Sequence, residues 1–297
     1  MTNQPNTGYN PIEPIELTIK GEPYCIGFKQ VIIDGRIIIT PIVIKLPISE
    51  RQNTPNTEDK KAADELLNTV VQGDCLEVMK DIPDKSIDLI VTDPPYRVTS
   101  RGSAGNSGGM LQKKINRSGM VFAHNNISVL DYAPDLYRIL KDGTHCYVMC
   151  NHTNFIEMVN TFVGEGFLFT KSLIWDKGNK IMGQFYMSQF EYILFFRKGS
   201  AKKINNCGTS DILSVPNKKT KVDGVNIHDT EKPVALMKVL IENSSLPNDI
   251  VLDPFAGSGS TGLACIESGR NYILIEKDPE YIKVINKRIS EHQERIL

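Results

Sequence analysis

From residue 69 onward, short apolar runs alternate with segments in which apolar residues recur every three to four positions. The runs predict strands at 69–72, 87–92, 144–150, 167–175, 192–196, 250–253 and 272–275. The periodic segments predict helices at 132–140, 154–163, 233–243, 260–267 and 279–294. Alternating strands and helices are typical of an α/β domain. We therefore expect a mostly parallel, doubly wound sheet with helices on both faces.

The first 68 residues have a different pattern. A polar, proline-rich stretch at 1–14 is followed by two β-rich runs around Asp34-Gly35, a dipeptide that favours a two-residue hairpin turn. Residues 49–61 are polar, as a linker would be. We expect a tail, a small β-hairpin appendage and a linker over 1–68, and a main domain over 69–297.

Composition narrows the class of protein. The 297 residues carry a formal net charge of −1, which excludes a generally cationic nucleic-acid coat and leaves only local basic patches for such contacts. Apolar runs fall short of the roughly 18 residues that span a bilayer, and the first residues do not resemble a signal peptide. We expect a cytoplasmic protein that does not enter membranes. Cys146 and Cys150 lie in a predicted buried strand, and we interpret them as core residues rather than metal ligands.

The most informative motif follows the predicted strand at 87–92. Asp93, Pro94, Pro95 and Tyr96 come directly after it, at the strand end where α/β sheets bind ligands. Two prolines fix the backbone and lack N–H groups, so carbonyls stay available as acceptors. Asp93 and a carbonyl could accept both hydrogens of an amino group on a flat ring, while Tyr96 stacks on the ring face.

A second motif places an acid and a glycine-rich turn between the predicted strand at 250–253 and the helix that follows. Gly257, Gly259 and Gly262 let a ligand approach the backbone closely. Glu276 ends the next strand about twenty residues later, where a carboxylate would meet ribose hydroxyls. The pattern predicts an adenosine pocket, and by itself it is also compatible with NAD.

Together the two motifs resemble those of the S-adenosylmethionine-dependent DNA amino-methyltransferases, over about residues 69–295. The catalytic motif precedes the cofactor motif, as in the β class of that family, and 73–79 and 228–233 also resemble its segments. The resemblance implies that Asp74 meets the cofactor adenine and that Thr230 and Lys232 hold its methionine carboxylate. The full implied set for S-adenosylmethionine is Asp74, Cys75, Thr230, Lys232, Asp253, Phe255, Ala256, Gly257, Ser258, Gly259, Glu276 and Lys277.

The resemblance also implies the substrate, which is double-stranded DNA with one base flipped out of the stack onto Tyr96. An acid at position 93 favours adenine N6, because the cytosine-N4 members more often carry serine there. Acceptance of both amino hydrogens would direct the nitrogen lone pair toward the methyl group. No cysteine nucleophile is required for attack by nitrogen.

Two basic patches could contact the DNA backbone. The resemblance divides the main domain into a catalytic half at 69–198, a short recognition segment at 199–227 and a cofactor half at 228–297. One patch follows the catalytic motif and the other extends into the recognition segment. Their members are Arg97, Arg101, Lys113, Lys114 and Arg117 in the first, and Arg197, Lys198, Lys202, Lys203, Lys218, Lys219 and Lys221 in the second.

Several alternatives stay open at this point. Cytosine-N4 or RNA methylation would use the same motifs, and a non-catalytic DNA- or cofactor-binding module would bind without turnover. If the protein were an NAD oxidoreductase, Asp93 and Tyr96 would have no function in the reaction. The recognition sequence, a homodimer and a partner restriction endonuclease cannot be read from the chain.

Overall fold

The computed structural model describes residues 15–19, 22–33, 36–45, 66–95, 127–181, 185–200, 202–217, 221–222, 225–226 and 231–296. Several predicted site residues lie outside these ranges: Tyr96, Arg97, Arg101, Lys113, Lys114, Arg117, Lys218, Lys219 and Thr230. The chain forms two compact units, residues 1–52 and 53–297. The predicted linker at 49–61 therefore contains the boundary between them.

The first unit contains an antiparallel sheet of strands β1 (Ile15–Ile19), β2 (Glu22–Ile33) and β3 (Arg36–Lys45) in that order. Ile33 pairs with Arg36 in the register of β2 and β3. Only two residues connect the strands at this point, so the predicted hairpin is confirmed. The turn residues Asp34 and Gly35 are themselves outside the described residues.

The second unit has a sheet of eight strands in its described part. They are β4 (Thr69–Gln72), β5 (Ile87–Thr92), β6 (Leu140–Cys150), β7 (Leu168–Ile181), β8 (Ser188–Arg197), β9 (Ile212–Ser214), β12 (Ile250–Asp253) and β13 (Asn271–Glu276), in the order β4-β13-β12-β5-β6-β8-β7-β9. Strands β4, β13, β12, β5 and β6 are parallel, while β8 runs antiparallel to both β6 and β7. A separate pair, β10 (Lys221–Val222) and β11 (Val225–Asn226), is antiparallel.

Helices cover both faces of this sheet, as predicted. They are α1 (Cys75–Val78), α2 (Val129–Ile139), α3 (Phe155–Gly164), α4 (Val234–Ser244), α5 (Ser260–Ser268) and α6 (Pro279–Ile296), with a 3-10 turn at Met79–Asp81. Side chains of α2 and α3 form one core cluster with Ile90 and Phe196. Side chains of α4, α5 and α6 form the other with Val91 and Leu274. Burial of apolar side chains on both faces stabilises this doubly wound arrangement.

This topology brings distant segments to one edge. The carboxyl ends of β4, β13, β12, β5 and β6 are neighbours there, and β8 begins at the same edge because it is antiparallel to β6. Cys146 and Cys150 are fully buried in the core beside this edge. In the described part of the chain, each helix is too short or too polar to cross a bilayer.

Candidate functional site

Asp253, at the end of β12, organises the loop that follows it. Thr92 and Thr261 donate hydroxyl hydrogen bonds to its two oxygens at 2.8 and 2.6 Å, and the Phe255 N–H donates at 3.1 Å. The side chain is only 3% exposed. Burial raises the pKa of Asp253 to about 6, against the opposing effect of these donors. All three donors belong to the chain itself, so Asp253 orders the loop, and its predicted contact with the cofactor stays a prediction.

Glu276, at the end of β13, holds the same loop from the neighbouring strand. Its carboxylate accepts hydrogen bonds from the N–H groups of Gly257, Lys277 and Asp278 at 2.8–2.9 Å. Burial raises its pKa despite these donors. Each carboxylate oxygen accepts more than one hydrogen bond, so Glu276 keeps capacity for ribose hydroxyls.

The glycines of the loop have two separate functions. Gly257 and Gly259 adopt positive φ values of 53° and 80°, which let the backbone turn sharply into α5. A Cβ at Gly259 would approach Ile285 to 2.9 Å, and one at Gly262 would approach Leu274 to 2.6 Å. Helix packing therefore requires Gly259 and Gly262, whatever ligand the loop binds.

Two further loop residues are packed against the core. Phe255 is half-buried, with its ring edge-to-face against Tyr132 at a centroid distance of 5.2 Å. Ala256 is buried and donates its N–H to the Ile275 carbonyl at 3.0 Å. The loop is therefore held on both sides before any ligand binds.

Asp74 and Lys277 lie side by side at the ends of β4 and β13. Asp74 caps α1 through the Leu76 N–H and pairs with the Lys277 amine at 2.8 Å. That pair lowers the pKa of Asp74. Cys75 is buried, and its pKa is raised to about 12, mainly by burial, which leaves a neutral thiol.

Arg288 of α6 connects the glycine loop to the segment before α4. Its guanidinium donates to the Ser258 carbonyl at 2.6 Å and pairs with Glu231 at 2.8 Å. Both side chains of the pair are largely buried. The planar guanidinium can hydrogen-bond two partners at once, so Arg288 holds the glycine loop and the segment before α4 in fixed positions.

Asp93 meets Lys232 across the end of β5. The Lys232 amine donates to Asp93 Oδ2, and Lys232 is only 6% exposed. Pro94 is buried and Pro95 half-buried behind them. In the structure the Lys232 amine is directed at the catalytic motif, and its predicted contact with a methionine carboxylate stays a prediction.

Two residues that were not predicted extend this pair into a buried ion network of Asp93, Lys232, Glu191 and Lys177. Glu191 Oε2 lies 3.5 Å from the Lys232 amine, and Glu191 Oε1 lies 2.5 Å from the Lys177 amine. Both amines approach the Trp175 ring, at 5.2 Å for Lys177 and 5.9 Å for Lys232. The sequence signal was an acid within an aromatic strand segment, between Phe190 and Tyr192.

Three buried oxygens at this edge have no hydrogen-bond partner among the described residues. They are Asp93 Oδ1, Glu191 Oε2, which has only its 3.5 Å ion-pair contact with Lys232, and Ser260 Oγ in the first turn of α5. A buried acceptor without a partner costs free energy unless a ligand satisfies it. This edge can therefore accept a hydrogen bond from one ligand at Asp93 and can hydrogen-bond a second ligand through Ser260 at the start of α5.

Three lysines of the second basic patch, Lys198, Lys202 and Lys203, lie at the sheet edge opposite to Asp93, and contact of the patch with DNA stays a prediction. Lys202 donates its N–H to the carbonyl of Gly143, at the amino end of β6, which is the sheet edge opposite to Asp93. Lys203 follows it and is exposed there. Lys198 is buried and donates to the Tyr137 and Leu140 carbonyls at 2.6 and 2.7 Å. These lysines lie away from the candidate site because β8 runs away from it.

Comparisons with known proteins agree with this geometry. A family model described as DNA methylase, of the N6/N4 type, matches residues 87–287. The chain is 31% identical to the type II methyltransferase M.HinfI of Haemophilus influenzae, over 78% of this chain and 71% of that protein. It is 29% identical to the DNA adenine methyltransferase YhdJ of Escherichia coli strain K12, over 74% and 82%. A crystal structure of M1.HpyAVI with S-adenosylmethionine covers 74% of this chain and 98% of its own, with 27% identity and a TM-score of 0.57.

Proposed function

Because the chain belongs to the DNA methylase family, we propose that it transfers a methyl group from S-adenosylmethionine to the N6 amino group of adenine in DNA. One observation supports an amino group as the group that is methylated. The buried Asp93 Oδ1 has no hydrogen-bond partner among the described residues. The names of two relatives support adenine and a type II enzyme.

The described residues fit S-adenosylmethionine. The glycine loop has the positive φ values that let a ligand approach its backbone, and Ser260 Oγ is a buried hydroxyl that needs a partner. Gly257, Ser260, Glu276 and Asp74 would hold the cofactor, at neighbouring strand ends. When bound, the cofactor supplies a methyl group on a positively charged sulfur.

Asp93 would act on the base rather than on the cofactor. Its Oδ2 is occupied by Lys232, whereas Oδ1 can accept one hydrogen of the adenine amino group. The amino nitrogen is a poor nucleophile while its lone pair is delocalised into the ring. A hydrogen bond to Asp93 favours a geometry in which the lone pair leaves the ring plane, and this positioning is the main contribution of the chain.

The same edge offers a surface for the DNA duplex. Phe185 and Tyr186, just before β8, are 88% and 93% exposed. They lie beyond the carboxyl edge, because Tyr192 of β8 pairs with Cys150 at the end of β6. Exposed aromatic rings suit contact with bases, so they support a DNA-facing edge. Flipping of the target base onto Tyr96 remains part of the proposal.

The activity is tested by product analysis. The purified chain is incubated with unmethylated duplex DNA and methyl-labelled S-adenosylmethionine, and the nucleosides are separated by mass spectrometry. We expect the label in N6-methyladenine. Label in N4-methylcytosine would overturn the choice of base. Label in RNA but not in DNA, in a parallel reaction with RNA as the substrate, would overturn the choice of DNA. Cofactor binding without transfer to either substrate would overturn the assignment as an enzyme.

Asp93→Asn tests the role of the carboxylate without leaving a gap. Removal of a positioned hydrogen-bonding group at a reacting centre lowers kcat by roughly 100- to 1000-fold, so we expect a loss of that size with cofactor affinity changed less than about threefold. Asp142→Asn is the control, since Asp142 is exposed and follows the start of β6 at the opposite edge. Loss of cofactor binding in folded Asp93→Asn protein would contradict the assignment.

The stacking role of Tyr96 is tested by one substitution that keeps an aromatic ring and one that removes it. Tyr96→Trp keeps a stacking surface and should retain much more activity than Tyr96→Ala, because stacking of one base contributes about 1–3 kcal/mol. The measurement is kcat/KM for DNA. Equal loss in both variants would argue against stacking.

A further inference from the structure

We infer that Glu191 is a positioning residue of the reaction: it holds the Lys232 ammonium against one oxygen of Asp93, so that the other oxygen stays directed at the amino group of the base. This inference rests on the proposed function, because it assigns Glu191 to the same methyl transfer. It adds Lys177 as the residue that neutralises Glu191.

The geometry forms a chain of alternating charge. Asp93 Oδ2 accepts from Lys232, Lys232 lies 3.5 Å from Glu191 Oε2, and Glu191 Oε1 lies 2.5 Å from Lys177. Four separate segments contribute to it: the end of β5, the segment before α4, β8 and β7. Trp175 pairs with Glu191 in the register of β7 and β8, which fixes Lys177 two residues further along β7.

The charges of the network cancel only when all four side chains are present. Two carboxylates and two ammonium groups give a neutral buried network, and removal of one partner leaves an uncompensated charge. Burial alone would lower the pKa of Lys232, but Asp93 and Glu191 raise it above its ordinary value. Burial would also raise the pKa of Glu191, but Lys232 and Lys177 lower it. Lys232 and Glu191 are therefore held in their charged forms by their partners in the network.

Glu191 determines where the Lys232 ammonium lies. With two carboxylates to attract it, the ammonium contacts only Oδ2 of Asp93, and Oδ1 has no partner among the described residues. Without the Glu191 charge, Asp93 is the one remaining carboxylate of the network near Lys232. The ammonium can then move onto both oxygens of Asp93 and compete with the substrate amino group for Oδ1.

The network also shifts the pKa of Asp93, and therefore the pH range in which this carboxylate is ionised. Burial raises the pKa of Asp93, Glu191 raises it further, and Lys232 and Lys177 lower it. Among the described residues, the other titratable groups that face this network are Cys150, from β6, and Asp253, from β12. Removal of the Glu191 charge should therefore lower the pKa of Asp93, and removal of the Lys177 charge should raise it.

The experiment compares Glu191→Gln with Lys177→Met in the full chain. For Glu191→Gln we expect kcat to fall about 10- to 100-fold, KM for S-adenosylmethionine and DNA to change less than about threefold, and the acid limb of the kcat profile to move to lower pH. For Lys177→Met we expect the acid limb to move to higher pH. A role in folding alone would not shift the two limbs in opposite directions.

The double variant Lys177→Met/Glu191→Gln separates charge from position. It restores a neutral network but not the second carboxylate near Lys232, so kcat should stay low. Recovery of kcat in the double variant would overturn the positioning role and leave charge balance as the cause. Asp211→Asn is the matched control, because it breaks an exposed ion pair with Lys171 on the same strand β7 and should leave kcat unchanged.

Failure of this inference is distinguishable from failure of the proposed function. If the wild-type chain makes N6-methyladenine and Glu191→Gln keeps the wild-type kcat and pH profile, the inference is wrong and the function stands. If Glu191→Gln protein does not fold, Lys177→Met decides alone, and an unshifted acid limb in that variant overturns the inference. If the wild-type chain does not methylate DNA, the proposed function itself fails.

Discussion

The Asp253 carboxyl makes the free energy of unfolding depend on pH in a way that can be calculated. Its pKa is about 6 in the folded chain, against an ordinary value of 3.8. Between these values the folded chain binds more protons than the unfolded chain. The free energy of unfolding should therefore decrease as pH rises through this window, because the charged form is the one that burial disfavours.

The two pKa values give the size of the effect. Protonation of Asp253 contributes on the order of 1 kcal/mol to the free energy of unfolding at pH 5 and almost nothing at pH 7.5. Asp253→Asn removes this titration but keeps an oxygen for the Thr92 hydroxyl. The variant should therefore lack a contribution on the order of 1 kcal/mol to the difference between these two pH values.

The assay is urea unfolding followed by the fluorescence of Trp175. It is the only tryptophan of the chain, lies in the second unit and is 1% exposed, so it reports on the unit that contains Asp253. Other groups with shifted pKa values are common to both proteins and cancel in the difference. Glu280→Gln, at an exposed position on α6, is the control. A difference below about 0.5 kcal/mol between wild type and Asp253→Asn would refute the reasoning.

Three further substitutions test the cofactor side of the site. Gly259→Ala must adopt a φ of 80° and contact Ile285, so it should lower the free energy of unfolding by about 1–3 kcal/mol in the same urea assay; an unchanged midpoint would contradict the packing role. Arg288→Lys removes the planar guanidinium that contacts both Ser258 and Glu231, so it should raise KM for S-adenosylmethionine by about tenfold with kcat nearly unchanged. A loss confined to kcat would argue for a different role. Lys277→Met removes an exposed ion pair, so stability should change by less than about 0.5 kcal/mol. Isothermal titration should nevertheless show a several-fold weaker cofactor affinity, and unchanged affinity would exclude Asp74 and Lys277 from the adenine site.

The sequence was sufficient for the fold and for the position of the site. Strand and helix patterns are local, and the carboxyl ends of parallel strands share an edge, so Asp93 and the glycine loop could be assigned to one site before the structure was known. The hydrogen bond between Thr92 and Asp253 joins the two motifs directly. The sequence could not show that the donors of Asp253 and Glu276 come from the chain itself.

The contacts that the sequence did not reveal depend on pairing between distant segments. Lys232 and Asp93 are 139 positions apart, and a lysine near a helix start is equally compatible with an anion site. Glu191 lies in a strand, where a single acid usually faces solvent. Lys202 and Lys203 were assigned to DNA because they belong to a cluster of basic residues in the sequence, but the antiparallel direction of β8 places them at the other edge of the sheet.

The order of strands in the central sheet has a consequence for synthesis on the ribosome. Strand β5 lies between β6 and β12, yet β12 begins 158 residues after the end of β5. Until the last fifth of the second unit has emerged, one side of β5 presents unpaired backbone groups, an edge at which nascent chains can associate wrongly. Asp93 acquires its partner Lys232 equally late. A chain that ends before residue 250 lacks β12 and the glycine loop, so we expect it to transfer no methyl group.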